Sequence, residues 1–214
     1  MSQNAILDPD DSGIEARIAQ RTVAKRTAAY ASEVRRLLDA GLEVMRACGT
    51  ASRPRVSDVV AAAGLSNDAF YRHFRSKDAL VEAILEDGAA RLRSYLEHQM
   101  AKAGEPAEKV RRWVAGVLAQ ASDADVAATT LAVLWNAGGL AEGLTSGHSS
   151  FHVPLAGLLE EPFAKLGSAN PPLDASLAAH AVIGRLSDCL RGGIRPAKAE
   201  VDRVTAFCLR AACG

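Results

Sequence analysis

Between Ser66 and Lys77 the chain reads SNDAFYRHFRSK, a run in which polar and cationic side chains alternate with aromatics. If the run is helical, Phe70 and Phe74 stand four residues apart and share one buried face. A step of about 100° per residue then turns Asp68, Ala69, Arg72 and Arg75 outward, with Tyr71 and His73 on opposite flanks. Such a set suits nucleic acid. Asn and Arg can hydrogen-bond base edges, and a Tyr hydroxyl, an imidazole or a Lys ammonium can hold phosphate oxygens. Lys77 stands in the first turn of a following helix, where a cation opposes the macrodipole unless an anion is bound.

The elements needed to present these groups are legible on either side. Val56–Ala63 reads as a two-turn helix with Val59, Val60 and Ala63 turned inward. Gly64-Leu65-Ser66 is a tight turn, and Ser66 is a good N-cap for a helix over Asn67–Phe74. Short helix, glycine turn and second helix have the proportions of a helix-turn-helix, whose second helix fits the major groove. A supporting helix is expected from about Ser32 to Cys48, closed by Gly49, and another from Ser76 to about Ala101.

Charge distribution agrees with this reading, although total charge does not. The 214 residues hold 25 Lys+Arg and 25 Asp+Glu, a net charge of zero. From Arg17 to Lys77, however, twelve basic residues face five acids, a net +7. The compensating acids lie partly in the N-terminal tail at Asp8, Asp10, Asp11 and Glu15, while residues 86–214 are close to balance. A basic segment joined to a neutral remainder is the footprint of a nucleic-acid-binding module carried on something else.

Composition and periodicity place the whole chain in the all-α class. Forty-two residues are Ala and ten are aromatic, which favours helix over sheet. Nine or ten helices are expected and no strand. Pro106 and Asp123 open two of them, Pro154 and Pro162 fall in a third, Asp174 caps the penultimate one and Pro196 opens the last. No run of apolar residues is long enough for a membrane span and no signal peptide is visible, so a cytoplasmic chain with no membrane partner is expected. Cys48, Cys189, Cys208 and Cys213 lack metal-ligand spacing, so neither a metal nor another cofactor is expected.

The run VSDVVAAAGLSNDAFYRHFRSKDALVEAIL (Val56–Leu85), preceded by RRLLDAGLEVMRACGT, resembles the DNA-binding domain of tetracycline-repressor (TetR) family regulators. AAGLS…FYRHFRSKDAL is similar to that family's AAGVS…LYYHFPSKEAL signature. The resemblance covers residues 33 to 86, about a quarter of the chain. It implies a helix-turn-helix domain over 32–86 and a helical effector-binding and dimerisation domain over 87–214, and residues 1–31 before them are expected to form a basic, partly disordered N-terminal extension. It also implies a homodimeric regulator of double-stranded DNA, usually a repressor released from a palindromic operator by a small molecule.

Carried over by position, Asn67, Asp68 and Ala69 fall where the family reads bases, and Arg72 shares their outward face. Ser57, Tyr71, His73 and Lys77 fall at phosphate positions. Arg53 and Arg55 are added as basic phosphate candidates, Arg55 replacing the Thr that usually caps the second helix. Ala69 replaces a common Thr and retains only a methyl for thymine. The basic stretch Arg17–Arg36 exceeds the family minimum and either reaches DNA as a tail or packs on its own domain.

The remaining assignments rest on residue type. Trp113, Leu131, Trp135, Asn136, Phe151, His152 and Phe163 are candidates to line an apolar or amphipathic effector pocket. Ala178, Ala181, Gly184 and Ser187, at three-residue steps, and Val204, Phe207 and Cys208 are candidates for a dimer interface, with intrachain core as the competing reading. A ligand-responsive activator is an alternative. An enzyme using His148, Ser149, Ser150, His152 or the Asp188-Cys189 pair is disfavoured, because close sequence neighbours do not make a triad.

Overall fold

The computed structural model describes residues 13–138 and 148–212. The acidic residues at 8, 10 and 11, most of the glycine-rich stretch 138–147, and Cys213 therefore lie outside the described residues. Among the described residues there are nine α-helices, one 3-10 turn and no strand.

The first helix, α1, spans Ile14–Cys48 without interruption. The basic stretch 15–31, expected to be helical or helical on binding, and the helix expected from about Ser32 form one continuous element, because residues 14–31 are rich in Ala, Arg and Lys and contain no Gly or Pro to separate them. Gly49 closes it, its N–H donating back to the Met45 carbonyl. The pair α2 (Val56–Ala63) and α3 (Asn67–His73) follows, joined through Gly64 in the left-handed conformation at φ 62°. A side chain at that position would be strained and would also meet Arg36 Nη2 at 3.0 Å. Arg36 of α1 donates to the carbonyls of both Ala63 and Gly64, placing a cation on the C-terminal end of α2.

Next comes α4 (Lys77–Ala101), a 25-residue helix capped by Ser76, whose hydroxyl accepts from the Ala79 N–H at 3.1 Å. It is followed by α5 (Pro106–Leu118), the 3-10 turn Ala119–Ala121, α6 (Ala124–Asn136) and α7 (His148–Leu166). Both Pro154 and Pro162 are inside α7. Helix α8 (Pro171–Gly192) starts before Asp174, contrary to expectation. Asn170 is its cap and Pro171-Pro172 fill the first positions, where a missing N–H costs nothing. The last helix, α9, is Lys198–Ala212.

Two apolar clusters organise these helices. The head cluster joins Leu37, Leu38 and Met45 of α1, Val59, Val60 and Ala63 of α2, Phe70 and Phe74, and Leu80, Val81 and Ile84 of α4. The body cluster joins Leu92, Leu96 and Met100 of α4 to Trp113, Val117, Leu155, Leu159, Phe163, Val182, Leu186 and Cys208. Helix α4 therefore contributes its first half to one core and its second half to the other. Val133 of α6 is the one body residue buried in the head cluster among the described residues. Among the described residues no single helix is long and apolar enough to cross a membrane.

Candidate nucleic-acid interface and effector cleft

Ser66 starts the presentation of α3. Its hydroxyl accepts from the Ala69 N–H at 3.1 Å, which fixes where the seven-residue helix begins. Phe70 is fully buried in the head cluster and packs against Phe74 with ring centroids 5.9 Å apart. The rotation of α3 is thereby set, and Asn67, Asp68, Tyr71, Arg72 and Arg75 face solvent. Tyr71 is 58% exposed while its ring edge contacts Phe70, so the hydroxyl projects from a supported ring.

Two of the outward residues expected on α3 are turned inward. Ala69 is buried, and the His73 side chain has no exposed surface. The buried arc of α3 runs over Ala69, Phe70, His73 and Phe74, because α1 covers the flank beside His73. Tyr30 of α1 packs edge-on against the imidazole with centroids 4.3 Å apart, and His73 Nε2 donates to Glu33 Oε2 at 2.7 Å. Arg72 donates to the same oxygen at 2.9 Å. These hydrogen bonds, from His73 first and then Arg72, hold the Glu33 carboxyl below its ordinary range. His73 Nδ1 is buried with no hydrogen-bond partner among the described residues. The expected base contact of Ala69 and phosphate contact of His73 are corrected on these grounds, and Arg72 is exposed but already paired.

Of the other basic candidates, Arg55 is exposed at the cap position of α2 and its side chain makes no capping bond. Ser57 is exposed and donates to Asp58 at 3.2 Å. Lys77 is the first residue of α4 and half-buried. Arg53 is exposed, and its guanidinium lies 5.9 Å from the centroid of the Trp135 ring of α6.

Between head and body opens a cleft of about 1100 Å³. Leu38 and Leu42 of α1, Val81 and Leu85 of α4, Val133 and Leu134 of α6, and Ile183 and Leu186 of α8 form its apolar walls. Thr129, Thr130, Asn136, His152 and Ser187 supply polar points. At the rim, Arg35 donates to both Asp87 oxygens at 2.7 and 3.1 Å, and Arg91 lies 2.6 Å from Asp87. The Arg35 hydrogen bonds hold the Asp87 carboxyl below its ordinary range.

Only Asn136 and His152 of the expected pocket residues line this cleft. Trp113 and Phe163 are fully buried in the body core, where Trp113 Nε1 donates to the Leu155 carbonyl at 3.0 Å. Leu131 packs on the same core, and Trp135 lies under Arg53. The Phe151 side chain lies outside the described residues. The body uses its large aromatics as filling, and the cleft between the two cores takes its walls from smaller residues of both. The signal for it in the sequence was the sharing of α4 between two apolar patterns.

Residues 37–84 match the family model described as bacterial regulatory proteins, tetR family. Over that segment the chain is similar to the DNA-binding domain of TetR-family transcriptional regulators. Solved structures share the fold of this chain across most of its length. A TetR-family transcriptional regulator from Mesorhizobium loti aligns at 17% identity over 86% of this chain and 96% of its own, with a TM-score of 0.63. FadR from Bacillus subtilis, in complex with stearoyl-CoA, aligns at 16% identity over 84% and 97%, with a TM-score of 0.57. RolR in complex with resorcinol aligns at 14% identity over 86% and 89%, with a TM-score of 0.61. No curated protein matches this chain in sequence.

The expected dimer residues of this chain divide between core and surface. Ala178 and Cys208 are buried in the body cluster, which corrects their assignment to an interface. Ala181, Gly184 and Phe207 are exposed, Val204 is half-buried against the core, and Ser187 lines the cleft. Leu173 and Leu177 of α8 are large exposed apolar residues that the small-residue pattern missed.

Proposed function

We propose that this chain is a TetR-family regulator, a homodimeric repressor that holds a palindromic operator through α3 and releases it when a small amphipathic effector fills the head–body cleft. The observation that carries the reading is the orientation of α3. A helix locked by the Ser66 cap and the Phe70 anchor presents Asn67, Asp68, Tyr71 and Arg72 on one solvent-facing side of a basic head. Asn67 and Arg72 are suited to base edges, and Tyr71, Arg55, Ser57 and Lys77 to the phosphates on either side.

Dimerisation follows from palindromic recognition, in which two copies read two half-sites about one helical turn apart. The exposed residues Leu173, Leu177, Ala181 and Gly184 of α8 and Phe207 of α9 support a second copy as the occupant of that face. A Cβ on Gly184 would meet nothing within 4 Å, so another helix can approach closely there.

The cleft supports an amphipathic effector by its apolar walls and few polar points. FadR's stearoyl-CoA and RolR's resorcinol both combine an apolar part with polar groups. Because α1, α4, α6 and α8 all border the cleft, an occupant that prefers one head–body arrangement shifts the spacing of the two recognition helices by its differential affinity. Helix α4, embedded in both cores, is the lever.

The test is selection of bound genomic fragments with the purified regulator, followed by titration of amphipathic compounds against the selected duplex. A dyad-symmetric operator whose affinity falls steeply with salt is the expected outcome. Recovery of fragments with no shared sequence would overturn sequence-specific regulation. Strengthened binding on adding a cleft ligand would replace repression-and-release with activation.

A further inference from the structure

Among the described residues, the first four turns of α1 pack against no other element. Every residue from Gly13 to Ser32 is exposed, and the helix first meets its own head where Tyr30 and Glu33 reach His73 and Arg72. Between Ile14 and Ser32 it carries Arg17, Arg21, Lys25 and Arg26 against the single acid Glu15. Arg17, Arg21 and Lys25 recur every four residues and so stack in one row along the helix, with Arg26 on another side.

We propose that this rod is a second DNA-contacting element, which binds the phosphate backbone of duplex flanking the half-site read by α3. The inference rests on the DNA-binding reading of the regulator and adds a surface to it. Charge selects the occupant, since four cations and one acid need a polyanion. The apolar residues do not form a seam for a partner helix. Ile14 and Ile18 share a row, but the next positions of that row are Thr22 and Arg26, and Val23 lies elsewhere. Geometry keeps the rod in a fixed relation to the base-reading helix. Tyr30 and Glu33 grip the C-terminal end of α3 through a buried imidazole and a paired guanidinium, so α1 leaves the head in one direction. From Ile14 to Tyr30 the rod is about 24 Å long at 1.5 Å per residue, the length of about seven base pairs.

The experiment compares the full chain with a variant combining Arg17→Ala, Arg21→Ala, Lys25→Ala and Arg26→Ala, which preserves helix propensity. A control carries Lys in place of the three arginines. Each is titrated against the selected operator as a short duplex and as one extended by about ten base pairs on each side, over a range of salt. The full chain is expected to bind the extended duplex about tenfold or more tighter, and the Ala variant to lose that gain while keeping its short-duplex affinity and base preferences. Its salt slope should fall by about 0.9 for each phosphate contact removed, and the Lys control should retain the full slope. Equal dependence on flanks and salt in the full chain and the Ala variant would overturn the proposal while leaving operator recognition intact. Failure of the full chain to bind even the short duplex would overturn the regulator reading itself. A change of oligomeric state in the Ala variant would make the rod a protein contact and also overturn the proposal.

Discussion

At the scale of single residues, α3 separates anchoring from recognition by alternating what faces inward. Phe70 and His73 face the head, whereas Tyr71 and Arg72 between them face solvent. Tyr71 is the cleanest probe, because its hydroxyl contributes nothing visible to the fold while its ring rests on Phe70. Replacing Tyr71 with Phe is expected to leave Tm unchanged and to weaken operator binding about three- to tenfold, the worth of one hydrogen bond of about 1 kcal/mol. Thermal melts beside a binding titration check both halves. Equal affinity of the two proteins would remove Tyr71 from the interface.

Besides the two apolar cores, the helices meet through a charge network at the cleft rim and through a glycine crossing in the body, and each contact makes a separate prediction. Asp87 of α4 binds Arg35 of α1, and the pair holds the two helices together at the cleft rim. Because the folded carboxyl titrates below its unfolded value, its contribution is complete above the ordinary Asp range and is lost as pH falls through the lower folded value. Asp87→Asn is therefore expected to cost at most about 1 kcal/mol at neutral pH, with Arg35 partly exposed. The difference between the two proteins should begin to shrink below about pH 4 and vanish only once pH has fallen below the lower folded value. On the body side, α5 crosses α4 at Gly116, where a Cβ would approach Leu96 Cδ2 to 2.5 Å. Leu96 is fully buried and cannot swing away. Gly116→Val should accordingly destabilise by about 1–3 kcal/mol, read as a lower denaturation midpoint at unchanged slope.

For the whole molecule, the arrangement of two cores around one shared helix matters more than any contact. Helix α4 is embedded in both clusters and Val133 reaches from body to head, so under the proposed release mechanism a change in cleft width is read out as a change in head orientation. Operator affinity should also depend on pairing of two copies. Leu177→Arg combined with Phe207→Glu places charges on the exposed apolar face of α8 and α9, and should yield folded monomer by sedimentation. The same protein should lose operator affinity by a hundredfold or more, since one half-site cannot supply the binding of two (about 3 kcal/mol). A dimer that persists would locate the interface elsewhere.

Local information was enough for the helix-turn-helix. The Gly64 turn, the Ser66 and Ser76 caps and the Phe70–Phe74 spacing act within a few residues, so their types specify α2, α3 and the start of α4. The basic character of residues 17–77 is likewise a sum over composition that folding does not alter. Other features depended on partners distant in sequence. Ala69 and His73 are buried because α1 lies beside α3, a contact across some 40 residues that no period within α3 reveals. Trp113 and Phe163 could serve equally as pocket wall or core, and only the packing of α5 on α7 made them core. The cleft belongs to no segment at all, since its walls are the margins of two cores, and a space between cores exists only after both have formed.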